Sequence, residues 1–155
     1  MRSIGAAERA IELMTKRGIS RKAFGKPIVQ LGKNIETIAK ARIDIEAMRM
    51  MVLKAAKAMD VLGNAEARVW VSAVKAMVPV RVCQIIDEAI QIHGATGVSH
   101  WTPLADMYTG QRTLRLADGP DEVHWFVVGR AEIARWSEDG AMDYDPKEAY
   151  RSLPV

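Results

Sequence analysis

Ile38, Ala41, Ile45, Met48, Val52, Ala55, Met59 and Leu62 follow one another at strictly alternating steps of three and four. Residues so spaced share one face of an α-helix, because 3.6 residues make a turn. A seam of this length has to be covered by other helices, and no strand can present it. Gly63-Asn64 closes the run. The stretch from about Ala65 to His93 is apolar on more than one side. Ala67, Val71, Val74, Val78, Ile85, Ala89 and Ile92 make one face, and Trp70, Ala73, Met77 and Val80 another. Such a helix belongs in the middle of a bundle or at a subunit interface. Pro79 lies inside it and predicts either a kink or a break into two helices.

Ile4, Ala7, Ile11 and Met14 mark an earlier helix that ends at Gly18. No capping residue precedes it, as though the chain were cut into a helix of a longer protein. Ile19 to Gln30 is a loop broken by Gly25 and Pro27. A shorter helical run spans Leu104 to about Leu116, and a last helix ends near Trp136. The expectation is an all-α, up-down bundle of four main helices plus a shorter one over residues 1–136. An acidic, proline-marked surface tail follows over 137–155.

At 155 residues and 49% hydrophobic composition, the chain can bury a proper core. The single cysteine, Cys83, excludes a disulfide within the chain and reads as a small buried hydrophobe. It fits a reducing compartment, the cytoplasm or, in a eukaryote, the mitochondrial matrix. Cys83 and His93, His100 and His124 show no metal-ligand spacing, so no metal site is expected. No apolar run reads as long enough to span a bilayer, and Met1-Arg2-Ser3-Ile4 lacks the apolar core of a leader. The net charge of +3 is unevenly spread: Arg2 to Arg42 holds ten Lys/Arg against three Glu. A basic first quarter suits the phosphates of a nucleotide, a coenzyme or a nucleic acid, or is an ordinary solvated face. Aromatic residues make up 6%, too few for a nucleic-acid surface to be the expected partner.

Three stretches stand out as candidate sites. Gly94 and Gly97, three apart after a long helix, either cap it as a turn or let the backbone come close to something that a Cβ would hold off. Arg21, Lys22, Phe24 and Lys26 put cations and one aromatic into a short loop. That loop either clamps a phosphate with Phe24 against a flat ring, or buries Phe24 as an anchor. In Ala117-Asp118-Gly119-Pro120-Asp121-Glu122, Asp118 reads as the N-cap of the last helix, Pro120 as an early helical position, and Asp121 and Glu122 as first-turn acids.

Together these stretches resemble a known family. Arg21-Lys-Ala-Phe-Gly-Lys-Pro27 looks like the Arg-x-x-Phe-Gly-(Lys)-Pro loop of the acyl-CoA dehydrogenases. Gln91-Ile-His-Gly-Ala-Thr-Gly97 is similar to their Gln-x-x-Gly-Gly-x-Gly turn, and Ala117-Asp-Gly-Pro120 falls where many members carry Tyr-Glu-Gly-Thr. The resemblance covers about Met1 to Trp136 and implies the C-terminal helical-bundle domain of an FAD-dependent enzyme with two further domains upstream. It implies that Arg21 meets the FAD pyrophosphate and Phe24 the adenosine portion, with Gln91 and Gly94 approaching the same FAD. In the family these elements serve the cofactor of a neighbouring subunit, which implies a homodimer or tetramer. Asp118 matches the carboxylate that removes the α-proton of the acyl-CoA thioester while the β-hydrogen leaves as hydride. Pro120 and Glu122 match positions that touch the flavin's own-subunit side. An electron acceptor such as electron-transfer flavoprotein is implied as a partner.

Departures from the pattern have chemical consequences. Asp118 replaces the usual glutamate, which sets its carboxylate one methylene further back. Ala117 replaces an aromatic and opens the acyl side, which suits a bulky or long chain. Pro120 has no hydroxyl, and Thr109-Gly110 stands where many members carry Arg-Asp. An N-cap holds its charged form and so lowers the pKa, whereas a base needs it nearer the working pH. Asp118 can hold both roles, or either. Same-fold oxidases, nitroalkane oxidases and flavin monooxygenases are the rival chemistry, and a non-enzymatic helical interaction module is the rival function.

Overall fold

The computed structural model describes residues 1–137. Four α-helices carry it: α1 (Arg2–Ser20), α2 (Asn34–His93), α3 (Leu104–Thr113) and α4 (Asp121–Ser137). The 60 residues of α2 are two arms, because Gly63 alone inside it leaves helical dihedrals, at φ 78° and ψ 179°. That backbone conformation belongs almost to glycine alone. The chain folds back there, and Lys54 Nζ lies 3.6 Å from the Trp70 ring centroid. In a straight helix those residues would stand about 24 Å apart. With the arms counted separately, the expected bundle of four main helices plus a shorter one is what forms. Two-residue strands, β1 (Lys22–Ala23) and β2 (Lys26–Pro27), pair antiparallel within the loop after α1.

The core joins Ile4, Ala7, Ile11 and Met14 of α1 to Ala41, Ile45 and Met48 of the first arm, to Val78, Val82 and Ile86 of the second, and to Leu104 of α3. Alanines at Ala7, Ala10, Ala41 and Ala89 are buried, which lets the helices approach closely. Each fully buried Ile or Met contributes about 1.5–3 kcal/mol against leaving it in water. The seam of the first arm is buried as far as Ala55, but Met59 and Leu62 are exposed at its far end, near the fold-back. The break allowed for at Pro79 does not occur: Pro79 is buried in the second arm with helical dihedrals on both sides.

The two-sided second arm sits in the middle of the bundle, packed by α1, the first arm, α3 and α4. The interface alternative is therefore not needed to explain its apolar surface. Val71 on this arm is exposed, but most large exposed apolar side chains lie elsewhere, among them Ile35, Ile43 and Met50 on the first arm and Trp125, Phe126, Ile133 and Trp136 on α4. One expectation is corrected here. An 18-residue window within Asn34–Val98 does reach bilayer-spanning length and apolarity, at a mean hydropathy of 1.5. Of that window 44% is buried inside the bundle, as a core helix would be. The tail expected over 137–155 lies outside the described residues, apart from Ser137, which ends α4.

Candidate functional site

The first cluster forms where α1 ends. Arg21 leaves the helix in extended conformation, and its backbone N–H still bonds Arg17 O. Ile28 N–H then bonds Arg21 O at 2.9 Å, which closes the loop as a hairpin. Its tip is Phe24-Gly25 at φ 51° and 76°, two consecutive left-handed residues of the kind that joins short antiparallel strands. A left-handed phenylalanine costs on the order of 1–2 kcal/mol. Phe24 is 95% exposed, so the alternative that it is a buried anchor is overturned; Ile28 fills that role instead.

Gly94 ends α2 at φ 66°. A Cβ built there would stand 3.6 Å from Arg21 Nη1, so the guanidinium lies directly over the glycine turn. Arg21 and Gln91 line one shallow depression of about 310 Å3 with Lys33, Asn34 and Glu88. Asn34 fastens its rim by donating to Ile28 O at 2.7 Å. Gly97 has a different reason to be glycine. A Cβ there would come within 2.6 Å of Ile90 O, so the turn packs backbone to backbone on the end of α2. Gly94 caps the helix, and Gly97 serves a close approach to the chain's own helix.

The second cluster is the turn between α3 and α4. Asp118 and Gly119 have φ 55° and 98°. The N-cap reading of Asp118 is corrected, because α4 begins at Asp121 and the capping position falls on Pro120. The Asp118 side chain is exposed with no hydrogen-bond partner among the described residues, and its backbone carbonyl is what is engaged, by His124 Nε2 at 3.2 Å. Lys75 Nζ, from the second arm, donates to Gly119 O at 3.0 Å. Arg115 Nε donates to Asp121 Oδ2 at 2.6 Å while Asp121 N–H bonds Arg115 O at 3.2 Å, which staples the turn across its base. The Asp121 carboxylate raises the pKa of Arg115 by that hydrogen bond, and burial raises that of the neighbouring Cys83 thiol. Pro120 and Glu122 are exposed beside Asp118.

The predicted residues therefore fall into two groups. Arg21, Gln91 and Gly94 come together with Phe24 close by; Asp118, Pro120 and Glu122 form the other. Lys75 and Gln91 mark the two groups on the second arm, which puts them about 24 Å apart along its axis. Lys75, His124 and the Arg115–Asp121 pair were not singled out from sequence. Lys75 is the sole charge between Arg68 and Arg81, and Asp121 and His124 lie within the Asp-Gly-Pro-Asp-Glu-Val-His run. Those were the available signals.

The family model described as Acyl-CoA dehydrogenase, C-terminal domain, matches residues 1–133. Acyl-CoA dehydrogenase family member 11 of Rattus norvegicus is 49% identical over 133 residues, which is 86% of this chain and 17% of the relative. A solved Mycobacterium abscessus structure, described as a candidate acyl-CoA dehydrogenase, is 51% identical with a TM-score of 0.86 over 88% of this chain and 33% of that one. Butyryl-CoA dehydrogenase from Megasphaera elsdenii is 27% identical with a TM-score of 0.77 over 84% of this chain and 34% of that one. This chain spans no more than about a third of the length of these relatives. The chain belongs to the acyl-CoA dehydrogenase family, whose C-terminal helical domain it forms.

Proposed function

We propose that this chain supplies the C-terminal domain of an FAD-dependent enzyme that oxidises an acyl-CoA thioester between its α and β carbons. The carrying observation is that one helical arm supports both clusters: the Arg21 guanidinium lies over the Gly94 turn at its end, and Lys75, about 24 Å back from Gln91 along the axis, holds the turn of left-handed Asp118. The residues fit FAD. Arg21 offers a cation to a pyrophosphate beside a glycine that no Cβ obstructs, and exposed Phe24 offers a ring face. Bound FAD supplies the acceptor for the hydride that leaves the β-carbon. Asp118 takes the α-proton: its carboxylate has free lone pairs, and the Ala117 methyl beside it leaves room for a bulky or long acyl chain. The separation favours a shared site, with Arg21, Phe24, Gln91 and Gly94 from one copy and Asp118, Pro120 and Glu122 from another. A homodimer or tetramer would be the working form, with an electron-transfer flavoprotein taking the electrons onward.

Anaerobic mixing of the full-length Asp118→Asn enzyme with acyl-CoA tests this. Flavin should stay bound, and its bleaching by substrate should slow roughly 10²–10⁴-fold, the usual contribution of a positioned base. Bleaching at the parent's rate would end the assignment of Asp118. Fast reoxidation of the reduced parent flavin by air would move the reading to an oxidase or monooxygenase of the same fold.

A further inference from the structure

Asp118 and Gly119 are consecutive left-handed residues, and the carbonyl of each is held from outside the turn. His124 Nε2 lies 3.2 Å from Asp118 O, and Lys75 Nζ lies 3.0 Å from Gly119 O. The first oxygen belongs to the peptide plane that follows Asp118, and the second to the plane after that. Because peptide units are rigid, two donors on successive planes remove most of the turn's freedom. On the other side, Ala117 N–H bonds Thr113 O at 3.0 Å. With both flanks fixed, the direction in which the Cα–Cβ bond of Asp118 leaves the chain is fixed as well.

Both donors are themselves held. His124 Nδ1 lies 3.4 Å from Ser72 Oγ on the second arm, and Ser72 is buried. With the Ser72 hydroxyl donating to Nδ1, Nε2 carries the proton and donates to Asp118 O. The imidazole also packs on the turn, since a Cβ on Gly119 would stand 3.2 Å from Nε2. Lys75 is half-buried in a run of apolar residues, where an ammonium needs a partner to offset lost hydration. The Gly119 carbonyl is that partner.

We propose that Lys75 and His124 are positioning residues for the reaction: they keep the turn left-handed, so that the Asp118 carboxylate meets the substrate α-carbon. This rests on the reading of Asp118 as the base. The test uses the full-length holoenzyme with Lys75→Met, Lys75→Arg, His124→Leu and His124→Gln, each alone and in the Asp118→Asn background. Flavin content, acyl-CoA affinity and the single-turnover rate of flavin bleaching are read for each. Lys75→Met and His124→Leu should slow bleaching at least roughly tenfold, in keeping with the cost of misplacing a reacting group by about 1 Å. Flavin content and acyl-CoA affinity should stay within about twofold of the parent, a split that general destabilisation would not produce. Lys75→Arg and His124→Gln, which keep a donor, should recover most of the rate. In the Asp118→Asn background the same changes should add nothing, because they act through Asp118.

Unchanged bleaching in Lys75→Met and His124→Leu, with Asp118→Asn slow, overturns the positioning role and leaves the base in place. Multiplicative loss in the Asp118→Asn background overturns it too. Parent-rate bleaching in Asp118→Asn itself overturns the base, and the positioning role with it. Where a Met or Leu variant does not fold, failure of the folded donor-retaining variant to keep the parent's rate-to-affinity ratio overturns the proposal.

Discussion

The two clusters supported by the second arm of α2 are built by opposite means. At the Gly94 end, main chain packs on main chain, with Gly97 held against Ile90 at a distance no side chain would permit. At Lys75, nearer the arm's middle, the Asp118 turn is held by side chains that reach across from two helices. Shape sets the first, and hydrogen bonds and charge set the second. The first should therefore tolerate changes of charge and fail with changes of volume, and the second the reverse.

Arg115→Met is the hardest blow to the tethered cluster. Its partner Asp121 is buried, with a side chain 8% exposed, so the carboxylate would be left without its cation. Breaking a buried pair costs 3–5 kcal/mol, and because Arg115 is itself about one-third exposed the low end applies, about 3 kcal/mol by urea unfolding. A loss well under 1 kcal/mol would show that the turn does not depend on this staple. Gly97→Ala strikes the shape-built end and should cost about 1–3 kcal/mol, as overpacking does, because the atoms it meets are backbone. If it melts with the parent, the close approach is not what holds the glycine turn. Phe24→Asn should act in the other direction. It creates the Asn-Gly pair that this tight turn prefers, and should raise stability by about 0.5–1 kcal/mol while weakening flavin retention in the full-length enzyme. A gain in both would remove Phe24 from the cofactor site.

The smallest effect belongs to neither cluster and serves as a baseline. Glu8 on α1 accepts from Arg42 at 2.8 Å and Arg49 at 2.6 Å on the first arm. The Arg42 hydrogen bond leads in holding its carboxyl below the ordinary value. A lowered folded pKa means stability that is present above the ordinary carboxylate range and is lost as pH falls through the folded value. Glu8→Gln should thus cost under about 1 kcal/mol at neutral pH for a partly exposed network, and the difference should vanish in acid and shrink with salt. A difference that persists in acid would assign the effect to packing.

What was legible in the sequence follows the same division. The seam from Ile38 to Ala55, the fold-back at Gly63 and the glycine turn at Gly94 were readable because each is a repeating or steric demand written in adjacent residues. The cap position was misread at Asp118, since aspartate before Gly-Pro suits an N-cap equally well. Only the fold shows that its backbone carbonyl, and not its carboxylate, is engaged. Lys75 and His124 were illegible for a simpler reason. Their partners lie 44 and 6 residues away, and no local pattern couples a lysine in an apolar helix to a glycine carbonyl. At Pro79, where a kink was expected and a break was the alternative, the helix does not break, and the proline is buried within it.

The unbroken helix between Lys75 and Gln91 also sets a phase. Each residue inserted between them would lengthen the spacing by about 1.5 Å and rotate one cluster about 100° relative to the other. A single insertion would thus leave both clusters intact yet point them at different quarters of the molecule. The turns carry no such constraint, so substitutions at Phe24 and Ala117 would leave the angle between the two clusters unaltered.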